Sequence, residues 1–302
     1  MQQAPQIDKA HAEQPVASTT HVTGALELLF RYDQGQERTS CISRRQQPPL
    51  KVIRAFPLAA GGALVHLHNT SGGILGGDQL HYTFQVGTHA YAQLTTTSAT
   101  RIYRCRPKQA PACQTQKIIV EEHGLLEYLP DPIIPFAGAA YQQHTTIELA
   151  PGAGLFYWET ITPGRVASDE LFRYDQLQIH CDITAAGRPI LSEHLALQPQ
   201  QRSLSTPAQL GPYLYFSSFY ICKVGLLSAD WQRLESELQV LAQQLTIHDE
   251  IIWGVSTLVQ HGLIVRALSK HGRDIAPGLL EFWRVATQAL YGRAVQLPRK
   301  VY

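Results

Sequence analysis

The sequence predicts a mainly β fold: short strands in a stacked, solenoid-like (β-helix-like) arrangement, with two α-helices in the C-terminal half. Three observations carry this. Period-two alternation of apolar and polar residues runs through 24–225, a strand–glycine turn–strand unit recurs along the same region, and two later stretches switch to helical spacing.

In chain order, the opening MQQAPQIDKAHAEQPVASTTHVTG is polar and rich in Gln, Ala and Thr. It lacks a basic start followed by an apolar run, so it is not a signal peptide, and 1–23 reads as a disordered tail. Residues 24–302 read as one domain, with a β body over about 24–225 and a helix-containing part over about 226–302. In QLHYTFQV (79–86), Leu80, Tyr82, Phe84 and Val86 share one face and Gln79, His81, Thr83 and Gln85 the other, as in a half-buried strand. HYTFQV–GTH–AYAQLTT, KIIVEE–HG–LLEYLP, TTIELA–PGAG–LFYWET and QIHCDI–TAAG–RPILSE repeat one unit. Gly87, Gly124, Gly154 and Gly187 are expected to supply positive φ at its turns. Such a recurrence suits layers that each cover the apolar face of the last, with an ordinary sandwich as the alternative. SADWQRLESELQVLAQQL (228–245) places Trp231, Leu234, Leu238, Leu241 and Leu245 on one helical stripe with Ser228 as N-cap. APGLLEFWRVATQALYG (276–292) has Pro277 in the first turn, a stripe of Leu280, Trp283, Thr287 and Leu290, and Gly292 as terminator. Between them, EIIWGVSTL and GLIVRAL read as strands.

The chain has 302 residues, 44% hydrophobic content and a net charge of +1. This supports a sizeable core but gives no global field for nucleic acid or an anionic membrane. No stretch approaches the length of a membrane span, so a cytoplasmic location is expected. The five cysteines, Cys41, Cys105, Cys113, Cys181 and Cys222, form no C-x-x-C pair, and free thiols are expected.

The stretch SGGILGGDQL (71–80) poses the chemical question. A phosphate loop needs Lys after its glycines, but here Asp78 follows Gly77, and the segment joins two strands. Gly72, Gly73, Gly76 and Gly77 therefore serve positive φ or close backbone approach. Two readings of Asp78 stand: a cap on that turn, or a group facing a polar channel. His66 and His68 share one strand face and lack a third ligand at local spacing. Glu159, Arg165, Asp169 and Glu170 fall in one loop, where Arg165 pairs with the acids more simply than the acids act as a catalytic pair. LEYLPDPIIPF (126–136) reads as a rigid edge or corner, a place for a cis peptide. YLYFSSFYICKVGLL (213–227) exceeds what one body covers and argues for a partner.

Several blocks together resemble the urease accessory protein UreD (UreH) family: SGGILGGD, AQLTTTSATRIYR, LEYLPDPIIPFAGA, TPGRVASDELF, STLVQHGLIVRAL and LPRKVY, in the family's order from about Leu26 to Tyr302. Two positions depart from its pattern: Asp169 stands where a Gly precedes the acid, and Thr97 stands where Gln is usual. The resemblance implies a non-enzyme, an assembly factor that acts with UreF and, through UreF, the GTPase UreG to load nickel into apo-urease. It also implies a predominantly β body with two helices and an internal passage for the ion. No permanently bound cofactor is expected, only transient Ni²⁺. Delivery calls for weak, exchangeable ligands. Asp78 and Glu170, with Asp131 third, are the expected transit-path candidates, framed by Gly72, Gly73, Gly76, Gly77 and Arg165. Trp231 and Trp283 are expected anchors for UreF. Two alternatives stand beside this reading. One is a β-helical carbohydrate-acting enzyme using Asp78 or Glu170 as acid and base, and the other is a purely structural β scaffold.

Overall fold

The computed structural model describes residues 22–298; the polar tail (apart from Val22 and Thr23) and the last four residues of LPRKVY lie outside the described residues. In chain order the strands are β1 (Thr23–Asp33), β2 (Arg38–Gln47), β3 (Leu50–Lys51), β4 (Ala55–Pro57), β5 (Ala63–Asn69) and β6 (Gln79–Val86). Next come β7 (Tyr91–Thr96), β8 (Thr100–Ile102), β9 (Ala112–Val120), β10 (Leu125–Tyr128), β11 (Ile133–Pro135) and β12 (Ala140–Leu149). Then follow β13 (Gly154–Ile161), β14 (Gln176–Ala185), β15 (Arg188–Leu197), β16 (Tyr215–Lys223), helix α1 (Ser228–Leu245), β17 (Ile251–Thr257), β18 (Gly262–Ser269) and helix α2 (Ile275–Tyr291). The chain is mainly β, 48% strand, with two C-terminal helices.

The strands form two sheets. The first runs β15-β14-β12-β9-β6-β1-β2, and the second has the path β17-β18-β16-β13-β10-β7-β5-β3, with β4, β8 and β11 off it. From β5 to β14 the chain alternates between the sheets, and each return pairs parallel with the previous visit. In the first sheet Leu80 pairs with Gln114, Gln114 with Gln143 and Gln143 with Ile179. In the second Leu94 pairs with Tyr128 and Tyr128 with Tyr157. Side chains facing between the sheets therefore stack in rows. Phe84, Ile118, Ile147 and Ile183 form one, and Val86, Val120, Leu149 and Ala185 the next; both are buried.

The turn glycines act differently from the expectation. At the first three turns, which pass from one sheet to the other, positive φ falls on His89 (60°), His123 (56°) and Gly152 (73°), not on Gly87, Gly124 or Gly154; only Gly187 (76°) takes it as expected. Gly124 serves close stacking instead: a Cβ there would lie 3.1 Å from the Gly87 carbonyl oxygen, and that same Gly124 accepts the Gly154 N–H at 2.8 Å. Turn sits on turn with only backbone between.

The second sheet is covered on both sides. Leu155, Tyr157 and Ile161 of β13 face the first sheet, while Phe156 and Trp158 face the helices. This explains why all eight residues of β13 are buried. β16, the core of the apolar stretch 213–227, lies between β13 and β18, so that stretch is a central strand and not an uncovered surface. Helix α1 has the expected span, but its N-cap is Leu227, and Ser228 is the first helical residue. Helix α2 ends as expected at Gly292, in the left-handed conformation (φ 63°). Trp231 (5% exposed) and Trp283 (0%) both pack into the helix-side core, which removes them as anchors for UreF. The cis peptide bond is at Pro48–Pro49 and not in the 126–136 segment, where β11 pairs with both β8 and β13.

Behind α2, Arg293 crosses back to the second sheet. It pairs with the fully buried Glu127 at 3.0 Å and lies 4.2 Å over the Tyr91 ring. Tyr91 and Gln93 also donate to Glu127, at 2.8 and 2.7 Å. Burial raises the Glu127 carboxyl above its ordinary range, and Arg293, Gln93 and Tyr91 pull it back.

Trp283→Ala should cost about 3–5 kcal/mol by opening a cavity under the second sheet. The denaturant midpoint measures it, against a far-UV spectrum that is strand-dominated in both proteins.

Candidate functional site: a polar interior and its corner loops

Towards the glycine turns the space between the sheets is apolar. Towards the other end it is not. Gln114 and Gln116 of β9 and Gln143 and Thr145 of β12 occupy inward positions and are buried. From the facing sheet come Tyr128, Tyr157 and Tyr220, whose rings stack at 5.2 and 5.6 Å, and Glu159, 8% exposed. Gln143 binds the amide of Gln114 (3.4 Å) and the hydroxyl of Tyr141 (3.0 Å), and its own amide donates to Glu159. Gln116 donates to Thr145 at 3.3 Å, while its buried carbonyl oxygen has no protein donor.

Three cavities succeed one another here. The first, about 80 Å³, is lined by Gly72, Gly73, Thr97, Arg101 and Gln114 among others. The second, about 40 Å³, shares Tyr82, Thr96, Thr100 and Gln114 with the first and adds Gln116, Asp131, Gln143 and Glu159. The third, about 10 Å³, shares Glu159 and ends at Glu193, Ser218 and Tyr220. The larger two exceed the space one water needs, and the amide and carboxylate oxygens around them suit water or a hydrated cation. Glu193 is held there by Tyr220 Oη (2.8 Å) and Arg266 (2.7 Å). Burial pushes the Glu159 carboxyl up to about 7, with Gln143 opposing the shift and Glu193 adding to it.

The motif loops meet on one corner of the stack. Ile74 of the glycine loop bridges Ile102, and Ile102 of β8 pairs with Pro135 of β11. Beyond β11, Glu170 ties its loop to the backbone of Ala137 (3.1 Å). Within the glycine loop, Gly72 (φ 76°) and Gly77 (φ 80°) need the left-handed region. Gly73 and Gly76 allow close approach, since a Cβ would strike Tyr103 and Cys105 respectively. Asp78, 2% exposed, accepts the N–H of Leu75 at 2.9 Å and of Val22 at 3.2 Å, one on each oxygen. It secures the turn and joins it to the entry of β1, and it does not line the three cavities.

Glu170 is bound by both nitrogens of the Arg165 fork, Nε at 2.8 Å, and Arg165 lies 4.4 Å over Phe136. The Arg165 hydrogen bond holds Glu170 well below the usual carboxylate range, at about 2, with Ala137 adding to it. Asp169 takes the left-handed conformation (φ 54°, ψ 33°), which short polar side chains tolerate, and so fills a glycine position. Glu159 is not in this loop: it sits on β13, facing inward. Asp131 exchanges hydrogen bonds with Thr96 (2.8 and 3.1 Å) and lines the second cavity. Thus Asp131 and Glu159 share a cavity, while Asp78 and Glu170 each secure a loop. His66 packs on Phe56 at 5.6 Å. Among the described residues no group of three or more His, Cys, Asp and Glu side chains is placed to hold a metal ion. The thiols are free, and no helix among these residues is long and apolar enough to cross a membrane.

The signal for the interior is present in ACQTQKIIV and AYQQHTTIEL: Gln114, Gln116, Gln143 and Thr145 fall on the same parity as Ile118, Val120, Ile147 and Leu149. Polar side chains at core parity mark a wet interior.

Two sheets with a polar zone between them, and corner loops held by Asp78 and Glu170, define the class as a mainly β protein with two C-terminal helices. The chain belongs to the UreD urease accessory protein family, whose model matches residues 22–302. It is 47% identical to the urease accessory protein UreD of Herpetosiphon aurantiacus over 91% of this chain and 96% of that relative. It is 33% identical to UreD of Corynebacterium glutamicum (85% and 90%) and 32% identical to UreD 2 of Pseudomonas syringae pv. tomato (90% and 93%). The family is one of accessory proteins, not enzymes, and the carbohydrate-acting alternative falls with that membership.

Two stability predictions follow from these contacts. The folded Glu159 keeps its proton to about pH 7 whereas the unfolded one loses it near 4.5, so stability falls as pH rises between the two. Glu159→Gln should match the wild type below pH 4.5 and exceed it by about 3 kcal/mol at pH 8, as read from melting against pH; a constant difference would contradict the assignment. Asp78→Asn can accept only one of the two N–H groups and should cost about 1–3 kcal/mol in a denaturant titration.

Proposed function

We propose that this chain acts in urease maturation as the accessory subunit through which Ni²⁺ reaches apo-urease, in a cytoplasmic complex with UreF and, through UreF, UreG. Family membership supports the coarse role, an accessory protein that works with urease and its other accessory proteins. The observation that carries the finer role is the run of three cavities between the sheets, two of them lined by amides, hydroxyls and carboxyl groups, which meet at Gln114 and at Glu159. In this reading the β body is a stack of coils, and successive coils lengthen the passage.

The chemistry suits a cargo. Amide oxygens, hydroxyls and water bind a divalent ion weakly and let it go, whereas several imidazoles or thiolates would trap it. A carboxyl that titrates near neutrality can take up the ion as it gives up a proton and regain the proton when the ion leaves. Glu159 meets that description and Asp131 stands beside the same cavity, so these two are the path acids. Asp78 and Glu170 hold the corner loops, and Gly72 and Gly73 line one end of the run. For those two acids the scaffold reading is favoured by their bound oxygens.

The test is urease activation in cells carrying Glu159→Gln or Asp131→Asn, with complex assembly checked by pull-down and nickel in the isolated urease measured by mass spectrometry. Expected is intact assembly with urease nickel lowered several-fold. Full nickel loading in both variants would overturn the passage. Asp78→Asn and Arg165→Lys should act through the amount of folded protein, with nickel loading per assembled complex unchanged.

A further inference from the structure

A second set of ligating side chains lies outside the interior, on the solvent face of the first sheet. His81, Thr115, His144, His180 and His194 sit opposite one another on five successive strands, β6, β9, β12, β14 and β15. His144 and His194 are exposed and His180 is partly so. The His180 and His194 rings face each other across the antiparallel β14–β15 pair with centroids 3.7 Å apart, and the His144 ring is 5.8 Å from that of His180. Asp182, two residues beyond His180 on the same face, is 3.7 Å from His144 Nε2 and accepts the Ser192 hydroxyl at 2.7 Å.

Packing gives no account of this row, because these side chains cover no apolar surface of the cores on either side of the second sheet. Imidazoles stacked face to face also repel one another once protonated. Their geometry suits a shared ion. Two nitrogens held side by side on one first-row metal stand about 3 Å apart, given bonds of about 2.0–2.1 Å. Directly opposed side chains of an antiparallel pair start within about 4.5–5.5 Å at Cβ, so a small swing of two solvent-side rings brings their nitrogens to that spacing. As placed, they are two ligands and not a closed cage, consistent with the lack of any converged group of three among the described residues.

We propose that His180 and His194, flanked by Asp182 and His144, form an exchangeable site for a late first-row divalent ion on the outer face of the first sheet. Imidazole pairs with a nearby carboxylate favour this class of ion over Mg²⁺ or Ca²⁺, and water fills the remaining positions. The site does not depend on the interior passage.

The test uses the tag-free full chain, with NiCl₂ and separately MgCl₂ titrated by equilibrium dialysis at neutral pH. Variants are His180→Ala, His194→Ala and their double. The control is the double His89→Ala/His123→Ala, which removes another stacked pair at 5.1 Å. Expected is Ni²⁺ but not Mg²⁺ binding, weakened at least about tenfold by each single variant and lost in the double. X-ray absorption of the Ni²⁺-loaded chain should show imidazole ligation that the double variant lacks. The control should bind as the wild type does. Unchanged binding in the His180/His194 double variant would overturn the site. So would loss of the same equivalent in the His89/His123 control, which would mean unspecific histidine binding.

Discussion

Register is the constraint on which this structure depends. Successive strand–turn–strand units pair parallel with their side chains aligned row on row, and the turn at Gly124 lies against the Gly87 carbonyl with no room for a side chain. Side chains alternate faces with every residue, so a slip of one position in β9 or β12 would turn the interior glutamines to solvent and bring Lys117 or Glu148 inside. The turn glycines hold the stack in phase, and the rows of Phe84–Ile118–Ile147–Ile183 and Val86–Val120–Leu149–Ala185 reward that phase with burial.

The same alignment divides the interior. At the turn end the rows are hydrocarbon and dry. At the corner end amides, hydroxyls and carboxyl groups share a low-dielectric space, an arrangement that costs free energy wherever a partner is missing. The second sheet offsets this by burying its other face as well. Phe156, Trp158, Phe219 and Ile221 meet α1 and α2 in a core without a comparable polar zone, apart from the Glu127 cluster. A protein with a wet interior thus draws stability from the layer behind it.

Much of this was legible in the sequence. QLHYTFQV alternates as read, α1 spans the residues its leucine stripe marks, and the glycine loop joins two strands. Other features depend on what lies opposite a residue. Gly124 is there because the Gly87 turn lies against it, and Gly154 because Tyr291 of α2 does, and no local pattern says so. Ser228 lost its capping role because the chain enters the helix one residue earlier, at Leu227. Glu159 looked like a loop acid because Arg165 and Glu170 follow closely, yet β13 runs on to Ile161 and carries it inward. Four loops that looked separate, around Asp78, Ile102, Ala137 and Glu170, lie next to one another because the stack brings each to the same corner.

The Arg293–Glu127 contact has a consequence for the order in which the protein is completed. Glu127 is in the middle of the second sheet, 166 residues before the arginine that neutralises it. On a ribosome the β stack emerges first, and its buried carboxylate stays without a countercharge until nearly the whole chain has been made. Until then, protonating Glu127 or leaving the helix-side face of β7 and β10 hydrated is the less costly state. Closure of the helical layer thus belongs to the last moments of biosynthesis, and a chain cut short before Arg293 would carry a lasting mark of its incompleteness at the centre of its sheet.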